Sequence, residues 1–359
     1  MERRAFLQST VAVAVAGALP GRAAQAQERW RRYEVLTRVE VVQPQGASRV
    51  WLPLPLAQET PWQRDLGSQW GGNAARTQVL DDGKYGARML YAEWSGGAPV
   101  LELTSRFETR DRAVDVSRPG KEGEPLSAAQ REFFTAPTEM IPTDGIVRET
   151  ASGIVKGARS DLEKGRAIYE WVVENTFRDP KVRGCGWGDI KSMLETRNFG
   201  GKCGDLNAMF VGLARSVGVP ARDVYGLRVA PSIHGYRSLG VSSPNVTRAQ
   251  HCRAEFYAQG HGWVPVDPAD VRKVVLEEPP GKLAEKDPKV VAARARLFGS
   301  WEMNWLAYNM AHDVVLPHAS GGPKLPYLMY PNGETGGTRL DPLDPDAFKY
   351  TITARELPA

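Results

Sequence analysis

Few side chains in this sequence can do covalent chemistry: three cysteines (Cys185, Cys203, Cys252) and five histidines among 359 residues. Cys203 follows the turn Gly200-Gly201 and opens a segment in which Leu206, Met209, Phe210, Leu213 and Val217 recur at spacings of three and four, closed by Gly218 and Pro220. That spacing predicts a helix with Cys203 at its N-terminus. A helix start favours a thiolate through the macrodipole and the unpaired backbone N–H groups, so the cysteine pKa should fall. The same N–H groups, around Gly201 and Gly204, are candidate donors to the oxyanion that forms when a thiolate adds to a carbonyl. Gly200 and Gly201, lacking side chains, are expected to let a substrate backbone approach the thiol.

A nucleophile needs a base. The strand-like runs Gln250 to Tyr257 and Trp263 to Val266 are joined by Ala258-Gln259-Gly260-His261-Gly262, and folding them about Gln259 brings His251 within a residue or two of Asp267. Cross-strand neighbours have Cβ atoms about 4.5–5.5 Å apart, close enough for imidazole and carboxylate to hydrogen-bond. Cys203, His251 and Asp267 are therefore the expected nucleophile, base and orienting acid. The competing structural role for Asp267 is a turn cap before Pro268, where the strand should end. His261 falls in the loop and is expected to be solvated, and His234, His312 and His318 are expected on the surface or in the tail. Trp187, within Gly184-Cys185-Gly186-Trp187-Gly188, is either a core plug or an indole donor at the oxyanion site. A Cys185–Cys252 bridge is left open, because spacing does not reveal disulfide geometry.

The elements that must hold these residues read as two folded units. The period is two from Arg32 to Asp115, and Asp82-Gly83 is a hairpin signal, which together predict an antiparallel β-sandwich over residues 27–118. A Gly/Lys/Glu-rich linker at Pro119–Pro125 marks the boundary. Beyond it, a capping box at Ser160 and Glu163 opens a helix with the apolar stripe Leu162, Ile168, Trp171 and Val172, and a second helix is expected over Gly188 to Thr196. Helices followed by the strands Arg222 to Val229, Gln250 to Tyr257 and Trp263 to Val266 make residues 119–275 an α+β catalytic domain. Residues 276–359 are expected to form a C-terminal extension packing on that core, with a helix over Pro288–Phe298 and a last strand over Phe348–Ala354.

Composition narrows the function. The chain is 42% hydrophobic with a formal charge of +4, and Arg3, Arg4 and Arg22 against Glu2 place half of that charge in the first 26 residues. No electrostatic case for nucleic acid remains. Residues 1–26 read as an export signal of twin-arginine type, with Arg3-Arg4, the apolar run Thr10 to Leu19 and cleavage near Ala26. The destination would be periplasmic or secreted. No stretch reaches the ~20 apolar residues that span a bilayer, and no metal-ligand spacing or phosphate-binding loop occurs, so no cofactor is expected.

Gly201-Lys202-Cys203-Gly204-Asp205, Gly218-Val219-Pro220-Ala221-Arg222, His251 with Glu255, and Gly262-Trp263-Val264-Pro265-Val266-Asp267-Pro268 resemble the transglutaminase-like superfamily over about Ser160 to Ala269. The resemblance implies a papain-like catalytic core with Cys203, His251 and Asp267 as its triad, behind a familiar N-terminal β-sandwich. Members commonly carry His-Ala-Trp at the base; here it is His251-Cys252-Arg253, and Arg253 is expected to project toward solvent or an acidic substrate. The expected function is thiol-dependent acyl transfer on peptide or protein amides, such as periplasmic protein or cell-wall peptide. Hydrolysis is the leading expectation, with amine transfer as the alternative. A catalytically silent binding module and a cofactor-loaded redox protein are the rivals from other classes.

Overall fold

In the computed structural model, residues 29–118, 124–344, 346 and 348–358 are described. The expected export signal, residues 1–26, and most of the linker, residues 119–123, lie outside them. Among the described residues no helix is long and apolar enough to cross a membrane.

Period-two sequence becomes a sandwich made from both ends of the chain. In β1 (Arg31–Val41), Tyr33, Val35, Thr37, Val39 and Val41 are buried while Glu34, Arg38 and Glu40 face outward. This strand lies between β6 (Val100–Thr109) and the last strand, β13 (Phe348–Leu357), with β3 (Gln63–Gly72) beyond β6. The second sheet runs β12 (Thr338–Leu340), β11 (Asn332–Thr335), β2 (Ser48–Pro53), β5 (Arg88–Trp94) and β4 (Arg76–Asp81). Val39, Leu52, Leu90, Trp94, Leu103 and Phe348 close the space between the two sheets. On the outer face Glu34 accepts from Arg106 at 2.8 Å and from Arg355 at 2.6 and 2.8 Å. Such exposed pairs are each worth only ~0–1 kcal/mol, and they oppose a register slip.

The hairpin signalled at Asp82-Gly83 forms, with β4 and β5 meeting at Asp81 and Arg88. Asp82 stabilises the loop by accepting from the N–H groups of Tyr85 and Ala87. The sequence expectation needs one correction: the sheets cross the boundary expected at residue 276. The tail supplies β11, β12 and β13 to the sandwich and β10 (Trp305–Asn309) to the edge of a third sheet.

That third sheet, ordered β9 (Gly262–Val266), β8 (Gln250–Ala258), β7 (Ala221–Arg228) and β10, is antiparallel throughout. Seven helices, α1 (Ala128–Thr135), α2 (Gly145–Ile154), α3 (Asp161–Asn175), α4 (Ile190–Thr196), α5 (Cys203–Ser216), α6 (Pro268–Glu277) and α7 (Pro288–Arg296), accompany it among the described residues. The Ser160–Glu163 capping box starts α3 as expected, and α5 ends at Val217 before Gly218 with φ +78°. Every residue of α5 is buried, so this helix is the axis of the core rather than an amphipathic surface helix. It lies on the sheet with α2, α3 and α6 around it. A helix enclosed in this way fixes the position of its first residue.

Close packing at Gly165 offers a test of that enclosure. A Cβ there would sit 2.4 Å from the Phe256 ring, and that ring is held between Phe210 and Phe298, each with its centroid 5.8 Å away. Alanine gains ~1 kcal/mol of helix propensity over glycine, whereas overpacking costs ~1–3 kcal/mol. We expect Gly165→Ala to lower the thermal midpoint, measured by calorimetry; a raised midpoint would show that the ring yields.

Candidate active site

Cys203 is the first residue of α5 and is 4% exposed. The loop carrying Gly184, Gly186 and Gly188, all at positive φ, folds over that helix start. The Gly204 N–H donates to the Cys185 carbonyl at 2.7 Å, and a Cβ on Gly204 would meet the same oxygen at 2.7 Å. The Asp205 carboxylate accepts from Lys202 N–H and Gly188 N–H, both at 2.9 Å. A Cβ on Gly186 would fall 1.8 Å from Asp205, and one on Gly201 2.6 Å from it.

The glycines around the thiol thus have a different purpose from the one their spacing suggested. Gly201 and Gly186 make room for Asp205, a Cβ on Gly200 would fall 2.6 Å from the Phe177 ring, and the Gly204 N–H is already committed. Trp187 is neither a core plug nor part of the wall around Cys203. Its side chain is 67% exposed, while its backbone joins the bonds to Asp205.

On the facing sheet, β8 and β9 pair with Ala254 opposite Val266. Extending that register sets Asp267 beside Arg253, two residues from His251. The gap closes because the chain turns at Asp267 into α6, with Pro268 in its first turn. His251 Nε2 lies 2.7 Å from Asp267 Oδ2, and the imidazole is among the groups that favour the Cys203 thiolate. Asp267 also caps α6, accepting from the Asp270 N–H at 3.0 Å, and takes a longer bond from Asn207 Nδ2 at 3.4 Å. The capping role and the partnership with histidine are held by different oxygens of one carboxylate. Trp305 Nε1 donates to the His251 carbonyl at 3.0 Å, which pins the strand.

Behind this pair lie charges that the sequence reading did not single out. Asp270 Oδ2 is 3.4 Å from His251 Nε2, and Arg228 donates to both oxygens of this carboxylate, at 2.5 Å to Oδ1 and 2.7 Å to Oδ2. Arg253 does not project outward as expected. It is buried against Trp305 and Trp301, 4.7 and 5.7 Å from the ring centroids, and its Nε is 3.7 Å from Asp267. Only the clustering of Arg228, Arg253, Asp267 and Asp270 in three dimensions makes this network, so no local pattern announced it. Glu255, part of the sequence resemblance, is buried between Arg222 at 2.6 Å and Arg112.

These charges set the protonation of the central pair. Burial and the Arg228 charge work against a proton on His251, but Asp270 and Asp267 outweigh them and raise its pKa to about 10. Hydrogen bonds from Cys185 and Cys252, then from His251, hold the Cys203 thiol well below its ordinary value in spite of burial. The arrangement favours a thiolate beside an imidazolium. Burial and the neighbouring Asp270 raise Asp267, whereas Arg228 holds Asp270 low.

All three cysteines are free thiols, so the bridge left open for Cys185 and Cys252 is not formed. Their sulfurs lie within 4.8 Å of one another, and the Cys185 thiol also donates to the Gln250 carbonyl at 3.4 Å. Three sulfurs at this spacing are a donor set suited to a soft cation. His251, Asp267 and Asp270 form a second close group, but one already engaged with each other and with Arg228. Cys203 and His251 open on a cavity of about 600 Å³ walled by the Cys185 loop, Gln250 and tail residues including Tyr330, Leu343 and Tyr350. Gln250 is 9% exposed and its Nε2 has no hydrogen-bond partner.

The other histidines stand apart. His261 is buried rather than solvated, at the far end of the β8–β9 hairpin from His251. His312 lies in the tail, where it is buried against Tyr225 at 3.3 Å and Asp223 at 3.5 Å. His234 pairs with Asp111 at 3.2 Å, and His318 packs on Tyr91.

Residues 148–268 match the model of the transglutaminase-like superfamily. An uncharacterized protein of Haemophilus influenzae is 38% identical over 345 residues, covering 90% of this chain and 91% of that protein. A crystal structure of a putative cysteine protease from Cytophaga hutchinsonii superposes with a TM-score of 0.51 at 15% identity, over 91% of this chain and 98% of the other. The chain belongs to the transglutaminase-like superfamily, and its mixed fold joins that core to N-terminal antiparallel sheets.

The contribution of the Cys185 thiol is open to measurement. Because its hydrogen bond is the leading influence lowering the Cys203 pKa, Cys185→Ala should move the acid limb of the iodoacetamide rate profile of Cys203 to higher pH. An unmoved limb would remove Cys185 from the account.

Proposed function

We propose that this protein is a cysteine hydrolase acting on peptide or protein amides, with Cys203 as nucleophile, His251 as general acid and base, and Asp267 as the group that orients the imidazole. The observation that carries the reading is the buried 2.7 Å contact between Asp267 and His251 beside the Cys203 thiol, which the imidazole helps to hold as a thiolate, at the base of an open cavity. The Cys203 thiolate adds to the amide carbonyl carbon. His251 then gives its proton to the leaving nitrogen, the C–N bond breaks, and a thioester remains. The neutral imidazole next takes a proton from water as the water attacks the thioester, which releases the acid and restores the thiolate. For the oxyanion, the reading uses the Cys203 N–H, at a helix position that has no intrahelical acceptor, and the unpartnered Gln250 Nε2. Residues 1–26 are proposed to direct the protein out of the cytoplasm, which would place peptides of the envelope among its substrates.

Amine transfer would use the same thioester with an amine in place of water. A peptide pool incubated with the protein and a fluorescent primary amine, then read by mass spectrometry, separates the two. We expect new carboxyl termini or deamidated side chains and little incorporated amine; dominant incorporation would make the enzyme a transglutaminase. In the same assay Cys203→Ala should abolish turnover, and Asp267→Asn should lower it by about 10³–10⁴-fold, the scale seen when an imidazole loses its orienting carboxylate. His261→Ala should retain activity. Full turnover by Cys203→Ala would end the covalent reading.

A further inference from the structure

The cavity beside Cys203 has an uneven charge. Six cationic side chains line it, Arg178, Arg183, Lys202, Arg228, Arg248 and Lys273, and no aspartate or glutamate does so among the described residues. Carboxylates behind the wall engage four of the six. Glu277 pairs with both Arg178 and Lys273, Asp341 with Arg183, and Asp270 with Arg228. Lys202 and Arg248 have no ion-pair partner among the described residues.

Those two residues flank the reacting groups on opposite walls. Lys202 immediately precedes Cys203 at the start of α5, and Arg248 lies two residues before β8, three from His251. A positive potential focused in a cleft of this kind raises the local concentration of anions and speeds their encounter with the site. Burial, and after it the charge of Arg178, lowers the pKa of Lys273, as crowding among cations requires. Val241, Leu343 and Tyr350 line the same cavity and give a peptide stem apolar surface to pack against. Cationic heads together with apolar surface suit an extended chain with acidic side groups.

We propose that the acyl donor is an acidic peptide whose free carboxylates are held by Lys202 and Arg248 while its amide carbonyl lies at Cys203. This assignment rests on the reading of Cys203 as nucleophile, and it adds the substrate class. A neutral or basic peptide would leave both cations desolvated without a partner, which disfavours it.

Two alkylating agents that differ in charge test the potential at the sulfur itself. Iodoacetate and iodoacetamide each form an S–C bond to the Cys203 thiolate and expel iodide, but only the first is an anion. In the intact protein at low ionic strength, the iodoacetate-to-iodoacetamide rate ratio at Cys203 should exceed that of glutathione by about tenfold. The excess should shrink in ~1 M salt, where screening acts within about 3 Å. Lys202→Met with Arg248→Met should remove most of the excess; a change in thiolate fraction alters both rates alike and cancels in the ratio, so the ratio reads the potential felt by the anionic reagent. A ratio equal to that of glutathione, or one unchanged in the double variant, would overturn the proposal.

Should neither reagent modify Cys203, that failure belongs to the nucleophile, and binding decides the charge question by itself. Fluorescently labelled tetraglutamate and tetraglutamine are compared by anisotropy on the Cys203→Ala protein. The proposal expects the glutamate peptide to bind at least about tenfold more tightly, with the difference lost when Lys202 and Arg248 are also replaced by methionine. Equal affinities, or no binding of tetraglutamate at millimolar concentration, would overturn it.

Discussion

Asp267 is a carboxylate with no access to solvent, and the geometry of the site follows from what it takes to keep it there. Burying a lone carboxylate is prohibitive, so its oxygens must be occupied and its charge answered nearby. One oxygen is spent on the first turn of α6 and the other on His251. Arg253, Arg228 and Asp270 complete the balance. Removing any one of these partners leaves a buried charge unanswered, which makes the network a rigid mount for the imidazole rather than a set of independent pairs.

The opposite wall is rigid for a different reason. The start of α5 is tied to the Cys185 loop by backbone bonds through Gly204 and Asp205, and the glycines there are demanded by contacts of 1.8 to 2.7 Å that a Cβ would make. Cys203 is therefore fixed by a helix enclosed on all sides, and His251 by a sheet whose edge strand comes from the tail. The two walls meet without either depending on a mobile segment for its shape, an arrangement suited to a reaction that needs its groups pre-positioned.

Much of this was legible in the sequence where the determinant is local. The capping box of α3, the 3–4 spacing of α5 and the alternation of β1 each depend on neighbours within a few residues, and each gave its element. The approach of His251 to Asp267 was readable from the hairpin count, although the register alone falls two residues short and the turn into α6 makes up the difference. What could not be read depends on residues far apart in the chain. The pairing of β1 with β13 joins residues more than 300 positions apart, and the tail strand that flanks β7 pairs Tyr225 with Asn309, also far beyond any local pattern. The Arg228–Asp270 contact, the stacking of Arg253 on Trp305 and the gathering of three sulfurs come from separate elements meeting in space. Trp187 was misjudged because a tryptophan in a glycine-rich loop gives no sign of which way it turns.

The central claim is that Cys203 rests as a thiolate beside a protonated His251, with Cys185 and Cys252 lowering its pKa first and the imidazole adding to them. The ultraviolet absorbance of the thiolate, taken as the difference between the wild-type protein and Cys203→Ala across a pH titration, reads this directly. The account predicts thiolate absorbance already present well below the ~8.5 of a free cysteine, persisting as pH rises and displaced upward in His251→Ala. A thiolate that appears only near the free-cysteine value in the wild-type protein, or one indifferent to the loss of His251, would contradict it.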